Sequence, residues 1–293
     1  MRTDKLHIYI YIVSTILVLS MLYRIMKVNT ENTLFVEKKD EYYKETAHNT
    51  ILEENLYLEY ERYVTTLQTN CNNISRCGPK GDTGYDICVD PLYKPKRPCL
   101  VYSFGSHYHF EFEDGVHKMF NCQIHTFDPS IPLAGHSIPK HVEFHLIGLS
   151  NFDHHTIFGW EMKTLASIRR YLNHSFTTLD ILKLDIEGDE WKAIPQILST
   201  ISNKYIKQIV LEVHFGRHTN KLKDDGYRRF NLNNWGDTDS FTQINVLKQL
   251  KHHGFNIFKW AINPRSKLRL QHSSKGSVFT MHIISLKNIN VLN

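Results

Sequence analysis

The chain has 293 residues, of which 41% are apolar, 12% aromatic and 22% charged; this excludes a disordered protein and supplies enough apolar mass for a large core. A formal net charge of +5 is spread along the sequence with no basic run to track a phosphate backbone, which argues against a nucleic-acid partner. One α/β domain with an appendage is the expectation from size.

Residues 8–23, IYIYIVSTILVLSMLY, carry no charge and lie between Arg2 and Lys5 on one side and Arg24 and Lys27 on the other. The length is slightly under a usual span and suits a thin early-secretory membrane. No small-x-small cleavage site follows, so residues 1–28 read as an uncleaved signal anchor rather than a removed signal peptide. Attachment to a membrane through this helix is therefore expected, with the rest of the chain in the lumen of the endoplasmic reticulum or Golgi, or secreted if the anchor is cut. Basic residues on both flanks leave orientation open. Asn73-Ile74-Ser75 and Asn173-His174-Ser175 are N-glycosylation acceptors, in keeping with a lumenal glycoprotein. Cys71, Cys77, Cys88 and Cys99 cluster while Cys122 stands apart. In an oxidising lumen the four can form two bridges, whose pairing the sequence leaves open; no Cys-x-x-Cys spacing points to zinc.

Residues 29–70 hold charged and aromatic residues without Gly or Pro, and Ile51, Leu56, Tyr60, Val64 and Leu67 recur at helical spacing. This predicts a helical stem that packs on the domain or on a second copy of the chain, the latter making a homodimer. Residues 71–98, with four prolines and three glycines, predict an irregular loop region. From 99 to 293 strand and helix patterns alternate. Strands are predicted over 99–104, 123–127, 142–149, 179–184, 206–215, 255–262 and 278–286, and helices over 111–120, 162–172, 190–199 and 241–253. Such alternation predicts an α/β fold with a mostly parallel sheet and helices on both faces. The polar segment 216–239 is too long for a turn and reads as a lid or substrate loop.

The most informative stretch is 179–191, LDILKLDIEGDEW. Its apolar first half reads as a strand covered on both faces, and Asp185, Glu187, Asp189 and Glu190 then gather around Gly188, at the edge where open α/β sheets bind ligands. The plainer reading has Asp185 closing the strand and Asp189 capping the next helix. Gly105 ends the first strand where backbone can approach a ligand, and Ser106 can add a hydrogen bond or serve only the turn. Asp128 ends the second strand at the spacing where a carboxylate accepts the ribose hydroxyls of an adenine nucleoside, a spacing that NAD-binding folds share.

LKLDIEGDEW resembles the K-x-D-x-E-G-x-E signature of FkbM-type S-adenosylmethionine-dependent methyltransferases and of related membrane-anchored methyltransferase-like proteins of animals. With SFGS, FDPS and LEVHF in the same order, the resemblance covers residues 71–286. It implies a class I, Rossmann-like methyltransferase domain over 99–293, S-adenosyl-L-methionine as cofactor, and O-methylation of a secretory-pathway glycan or small molecule. The usual Gly-x-Gly-x-Gly run is reduced here to Gly105. The resemblance also places adenine against 148–153, with Ser150, Asn151 and Asp153 as candidates. Asp185 is the first candidate base for the acceptor hydroxyl, followed by Glu187, Glu212 and His214; Glu212 and His214 alternate on one strand and share a face. A Glu212–Lys183 ion pair is the structural alternative. The same four residues have the chemistry to hold a divalent metal, which the resemblance does not require. Trp160, Trp191, Tyr227 and Trp235 are candidates for stacking on a sugar, and Arg217, Arg228 and Arg229 for holding an acidic acceptor.

Two rivals remain at this stage. A Golgi glycosyltransferase shares the anchor, stem and α/β core, and Asp237-Thr238-Asp239 has the Asp-x-Asp form that binds a nucleotide-sugar through a metal, although Asp239 or Ser240 can equally cap the helix that follows. A catalytically silent binding module would keep the sheet and lose the donor site.

Overall fold

In this computed structural model, residues 48–81, 83–131, 137–216, 238–270 and 273–291 are described. The apolar segment 8–23, the first part of the expected stem, and the loop carrying Arg217, Tyr227, Arg228, Arg229, Trp235 and Asp237 lie outside them. Among the described residues no helix is long and apolar enough to cross a membrane. Met1–Glu53 and Glu54–Asn293 are separate units, the second holding every described strand and the first described helix from Glu54 onward.

In chain order the elements are α1 (His48–Thr65), β1 (Ile74–Cys77), β2 (Tyr85–Cys88), β3 (Leu100–Phe104), α2 (Glu111–Phe120), β4 (Gln123–Phe127), β5 (Val142–His145), β6 (Ile147–Leu149), β7 (His154–His155) and β8 (Glu161–Lys163). There follow α3 (Leu165–Tyr171), β9 (Leu179–Leu184), α4 (Glu190–Thr200), β10 (Ile206–His214), α5 (Ser240–His252), β11 (Phe255–Ile262), β12 (Lys267–Arg269), β13 (Ser277–Phe279) and β14 (Met281–Asn288). Seven strands form the main sheet in the order β11-β14-β10-β9-β3-β4-β5. β14 runs antiparallel to both neighbours, and the pairs from β10 to β5 are parallel. Numbered along the sheet this is 3-2-1-4-5-7-6 with the seventh strand reversed, the arrangement of a class I methyltransferase-like fold.

All five residues of β3 and all six of β9 are buried, as strands covered on both faces must be. The charges inside β9 are compensated. Asp180 accepts the Leu100 amide at 3.1 Å and the Lys207 ammonium at 2.8 Å, and Lys183 is held at the other end by the groups described below.

The segment 71–98, expected as loop, contains the antiparallel hairpin β1–β2. Cys77, Tyr85 and Ile87 pack in one cluster with Val101, Ile124, Ile181, Val210 and Ile283, the alternate residues of five sheet strands, so the hairpin helps to cover a face of the sheet. The expected strand 142–149 breaks at Leu146: β5 joins the main sheet and β6 a small three-stranded sheet with β8 and β7. Likewise the helix expected over 162–172 begins only after β8, where Thr164 accepts the Ser167 amide on its hydroxyl.

Disulfides join Cys71 to Cys88 and Cys99 to Cys122, and Cys77 is a buried free thiol. The expectation that Cys71, Cys77, Cys88 and Cys99 supply both bridges is therefore corrected. β3 and β4 start side by side, Leu100 opposite Gln123, which brings Cys99 to Cys122 across 23 residues of sequence. Burial pushes the Cys77 thiol up to about 12.

α1 seats Tyr60 inside the domain. Its ring stacks on Phe215 at 3.9 Å, and its hydroxyl lies 3.0 Å from His282 Nδ1. Burial, helped by the Lys275 charge, lowers the pKa of His282 to about 4. Below its ordinary value of 6.5 this imidazole takes a proton in the unfolded chain but not in the folded one. The unfolded state thus binds more protons between pH 6.5 and 4, and stability falls as pH drops through that window. About 3 kcal/mol is expected to be lost. Urea unfolding at pH 7 and pH 4 checks this, and His282→Gln should flatten the slope; an unchanged slope would contradict the assignment.

Candidate active site

Because β3 pairs with both β4 and β9, their carboxyl ends lie together, Phe104 opposite Phe127 on one side and Leu184 on the other. The next residues are Gly105, Asp128 and Asp185, and all three line one cleft of about 1130 Å³. That is ample for a nucleoside-sized ligand, since small-molecule sites run from roughly 300 to 1,000 Å³.

Gly105 has φ +76°, and a Cβ there would come within 1.7 Å of the Asp185 carbonyl oxygen. The ends of β3 and β9 are pressed together at this point, with the Asp185 amide donating to Phe104 O at 3.1 Å. Two loops facing the cleft hold non-glycine residues in the left-handed region, His107 and Tyr108 in one and Glu187 in the other. Such conformations cost about 1–3 kcal/mol each and persist only where surrounding structure imposes them.

Asp128 does the imposing on the first loop. Its Oδ2 accepts the amides of Ser106 and His107, both at 3.0 Å, and its Oδ1 accepts the Ser130 amide at 3.0 Å and hydroxyl at 2.6 Å. Four donors fill a carboxylate's capacity. The expected ribose acceptor lies on the cleft wall, yet its oxygens hold the loop that contains Gly105 and Ser106.

Lys183, buried in β9, donates to the carbonyls of Phe104 and Gly105 and lies 3.6 Å from Asp185 Oδ2. Tyr85 donates its hydroxyl to that same Oδ2 at 3.0 Å. Lys183 is thus turned toward Asp185, and Glu212, its expected partner, accepts the Asn263 side-chain amide at 2.9 Å. Behind Asp185 sits a fully buried pair. Glu190 Oε1 accepts the His214 amide and faces His214 Nδ1, both at 2.9 Å, while its Oε2 accepts the Gly188 amide at 2.8 Å. Burial alone would lower the His214 pKa, but the carboxylates of Glu190, Glu187 and Glu212 outweigh it and hold the group well above its usual range. That setting favours the protonated imidazole.

Asp185, Glu212 and His214 each bring a ligand atom within 4.8 Å of the others, so the metal alternative has its geometry. His214 and Lys183 supply positive charge there, facing the carboxylates of Asp185, Glu187, Glu190 and Glu212.

Several expectations are corrected here. Ser150 and Asn151 do not line the cleft. Ser150 donates its amide to Lys163 O in the small sheet and its hydroxyl to Asn151, and Asp153 accepts the Thr164 amide. The wall at this end is apolar instead, built from Gly148, Leu149, Ile157, Phe158 and Met162. Asp189 makes no side-chain cap on α4 and lines the cleft. Trp191 is core, donating to His214 O at 2.7 Å, whereas Trp160 does line the cleft. Asp239 caps α5 through the Thr242 amide and hydroxyl, which is the plain reading of the Asp-x-Asp tripeptide. Tyr85 and Asn263 lie outside the candidates read from sequence, and the pairing of Glu190 with His214 does as well. Tyr85 and Asn263 have no local signal, while Glu190 is the last residue of the K-x-D-x-E-G-x-E signature.

A family model described as a methyltransferase domain matches residues 32–263. The chain belongs to the methyltransferase-domain family. The methyl donor of this methyltransferase domain is S-adenosyl-L-methionine. Curated relatives include the probable methyltransferase-like protein 24 of Homo sapiens, 24% identical over 217 residues, which covers 67% of this chain and 55% of that one. Its counterpart from Rattus norvegicus is 22% identical over 216 residues, with the same shares. The chain spans about half the length of the curated relatives it matches. Among solved structures, human N-acetylserotonin methyltransferase in complex with SAM is 13% identical with a TM-score of 0.32, covering 64% of this chain and 47% of that one.

Proposed function

We propose that this methyltransferase domain transfers a methyl group from S-adenosyl-L-methionine to a hydroxyl of a secretory-pathway glycan or small molecule. In this reading the chain is of the FkbM-like, membrane-anchored kind: anchor over 1–28, stem over 29–70, a Cys-rich region over 71–98 and the catalytic domain over 99–293, with lumenal glycosylation at the exposed Asn73 and Asn173 and a homodimer through the stem. The observation that carries it is the junction of Gly105, Asp128 and Asp185 on one cleft at the carboxyl edge of a parallel sheet.

The cleft fits the donor. The backbone at Gly105 and Ser106, braced by Asp128, would receive its amino-acid and ribose parts, and the apolar wall of Leu149, Ile157 and Met162 its adenine. When bound, S-adenosyl-L-methionine supplies an electrophilic methyl group on a sulfonium. The chain's own residues do the rest. Asp185 has its two polar contacts on Oδ2, so Oδ1 is the atom to take the acceptor's hydroxyl proton. Glu187 and Glu212 line the same cleft and orient the acceptor, and His214 Nε2 lies 3.7 Å from Glu187 Oε2. Holding the reactants in line is worth on the order of 7–11 kcal/mol, and the base a further factor of about 10² to 10⁴.

Calorimetry of the full chain with S-adenosylhomocysteine tests the donor site. Asp128→Ala is expected to weaken binding more than about tenfold, since two charge-assisted bonds to the loop are worth at least 1.4 kcal/mol together; unchanged affinity would remove Asp128 from the site. Asp185→Asn is expected to bind with wild-type affinity yet slow transfer to a glycan acceptor by about 10² or more. Transfer at the wild-type rate would exclude it as the base.

A further inference from the structure

At the β5 edge of the sheet a second cluster stands outside the cleft. We propose that His125, Glu143 and His145 form a binding site for one divalent transition-metal ion of the zinc class, independent of the methyltransferase reading.

The three residues come from neighbouring strands. In the parallel register His125 lies opposite Glu143 and Phe127 opposite His145, so positions 125, 143 and 145 share one face of the sheet. His125 Nδ1 is 2.9 Å from His145 Nε2 and 3.6 Å from Glu143 Oε2, and His145 Nε2 is 3.8 Å from Glu143 Oε1. Ligand atoms about 2.0–2.2 Å from a tetrahedral ion lie about 3.4 Å from one another. The three separations bracket that edge length, the last two measured to different Glu143 oxygens, so a small turn of the exposed Glu143 carboxylate brings one oxygen to the third corner of a zinc tetrahedron.

The ligand types fit as well. Two imidazoles and one carboxylate suit zinc, whereas magnesium and calcium take all-oxygen shells. His125 is oriented through its second nitrogen: Nε2 accepts the Gln123 side-chain N–H at 2.9 Å. The proton then sits on Nδ1, between His125 and His145 Nε2, and is released when an ion binds. His145 is further fixed by stacking on Phe127 at 4.7 Å. The His125 side chain is buried and Glu143 is 56% exposed, so an ion enters from solvent and keeps water as its fourth ligand. Bound there, it would fasten β5 to β4 just before the chain turns into β6, whose Gly148 and Leu149 line the cleft.

The full chain, stripped with a chelator, is titrated with zinc against a chromophoric competitor, alongside Glu143→Gln and His145→Ala. One equivalent is expected in the wild type, and binding should be at least about tenfold weaker in both variants. Cobalt in place of zinc should give the visible absorption of a tetrahedral centre, lost in both variants. Equal uptake by wild type and Glu143→Gln, or no uptake by the wild type, overturns the site. Glu143 is exposed, so this variant keeps the test decisive should His145→Ala fail to fold. Donor binding is read separately by S-adenosylhomocysteine calorimetry: a chain that takes zinc but no donor keeps this site and sinks the methyltransferase reading, and the reverse result does the opposite.

Discussion

Glu190→Ala is expected to destabilise the protein by about 3–5 kcal/mol, the cost of leaving a buried charge without its partner. Glu190 and His214 are both completely buried as side chains, and the carboxylate also accepts the amides of Gly188 and His214. Alanine would leave the amides of Gly188 and His214 without their acceptor and the imidazole without its nearest carboxylate, Glu187 lying 3.7 Å from its other nitrogen. The histidine would respond by giving up its proton, because burial disfavours its charged form and Glu190 is the strongest influence opposing that. Two measurements check this. Denaturant unfolding should show a lower midpoint with an unchanged slope, and the His214 imidazole, followed by NMR in the shape-conserving Glu190→Gln, should titrate at lower pH than in the wild type. A loss under 1 kcal/mol, or an unmoved titration, would mean that the pair contributes neither stability nor charge to the cleft.

Gly105→Ala is the second large effect, and it should strike binding and stability together. A left-handed backbone costs a non-glycine residue about 1–3 kcal/mol. The added carbon would also meet the Asp185 carbonyl oxygen, a backbone atom that moves only if β3 and β9 part, for about 1–3 kcal/mol more. Gly276→Ala separates the two contributions, since Gly276 has φ +72° and nothing within 4 Å of its missing Cβ. It should lose only the backbone share and bind S-adenosylhomocysteine normally, while Gly105→Ala should bind at least about tenfold more weakly. Equal losses in both would show that the close approach at Gly105 carries no weight.

Hydrophobic run and spacing revealed the parallel strands, because a strand buried on both faces must be apolar throughout, and they put Gly105, Asp128 and Asp185 at adjacent strand ends. Legibility failed where tertiary context decides. Val142 to Leu149 is unbroken in pattern, and only the geometry shows Leu146 turning outward while the chain changes sheet. Ser150 and Asn151 were adenine candidates because the resemblance places adenine after the third strand, but Ser150 bonds Lys163 of the small sheet and Asn151, and the cleft wall here is apolar. Tyr85 reaches Asp185 from 100 residues away, out of a segment whose glycines and prolines masked a hairpin. Bridging of Cys99 to Cys122 follows from strand adjacency, which no spacing rule encodes.

The seating of α1 has a practical consequence for anyone who wants the domain without residues 1–28. Tyr60 and Val64 are fully buried, and Leu56 and Tyr57 nearly so, with Tyr60 lying flat on Phe215 just past the end of β10 and touching His282 on β14. A recombinant fragment begun at the first cysteine would therefore strip away a lid of aromatic rings and leave a sticky furrow in its place. Cloning boundaries set upstream of His48 keep that furrow closed.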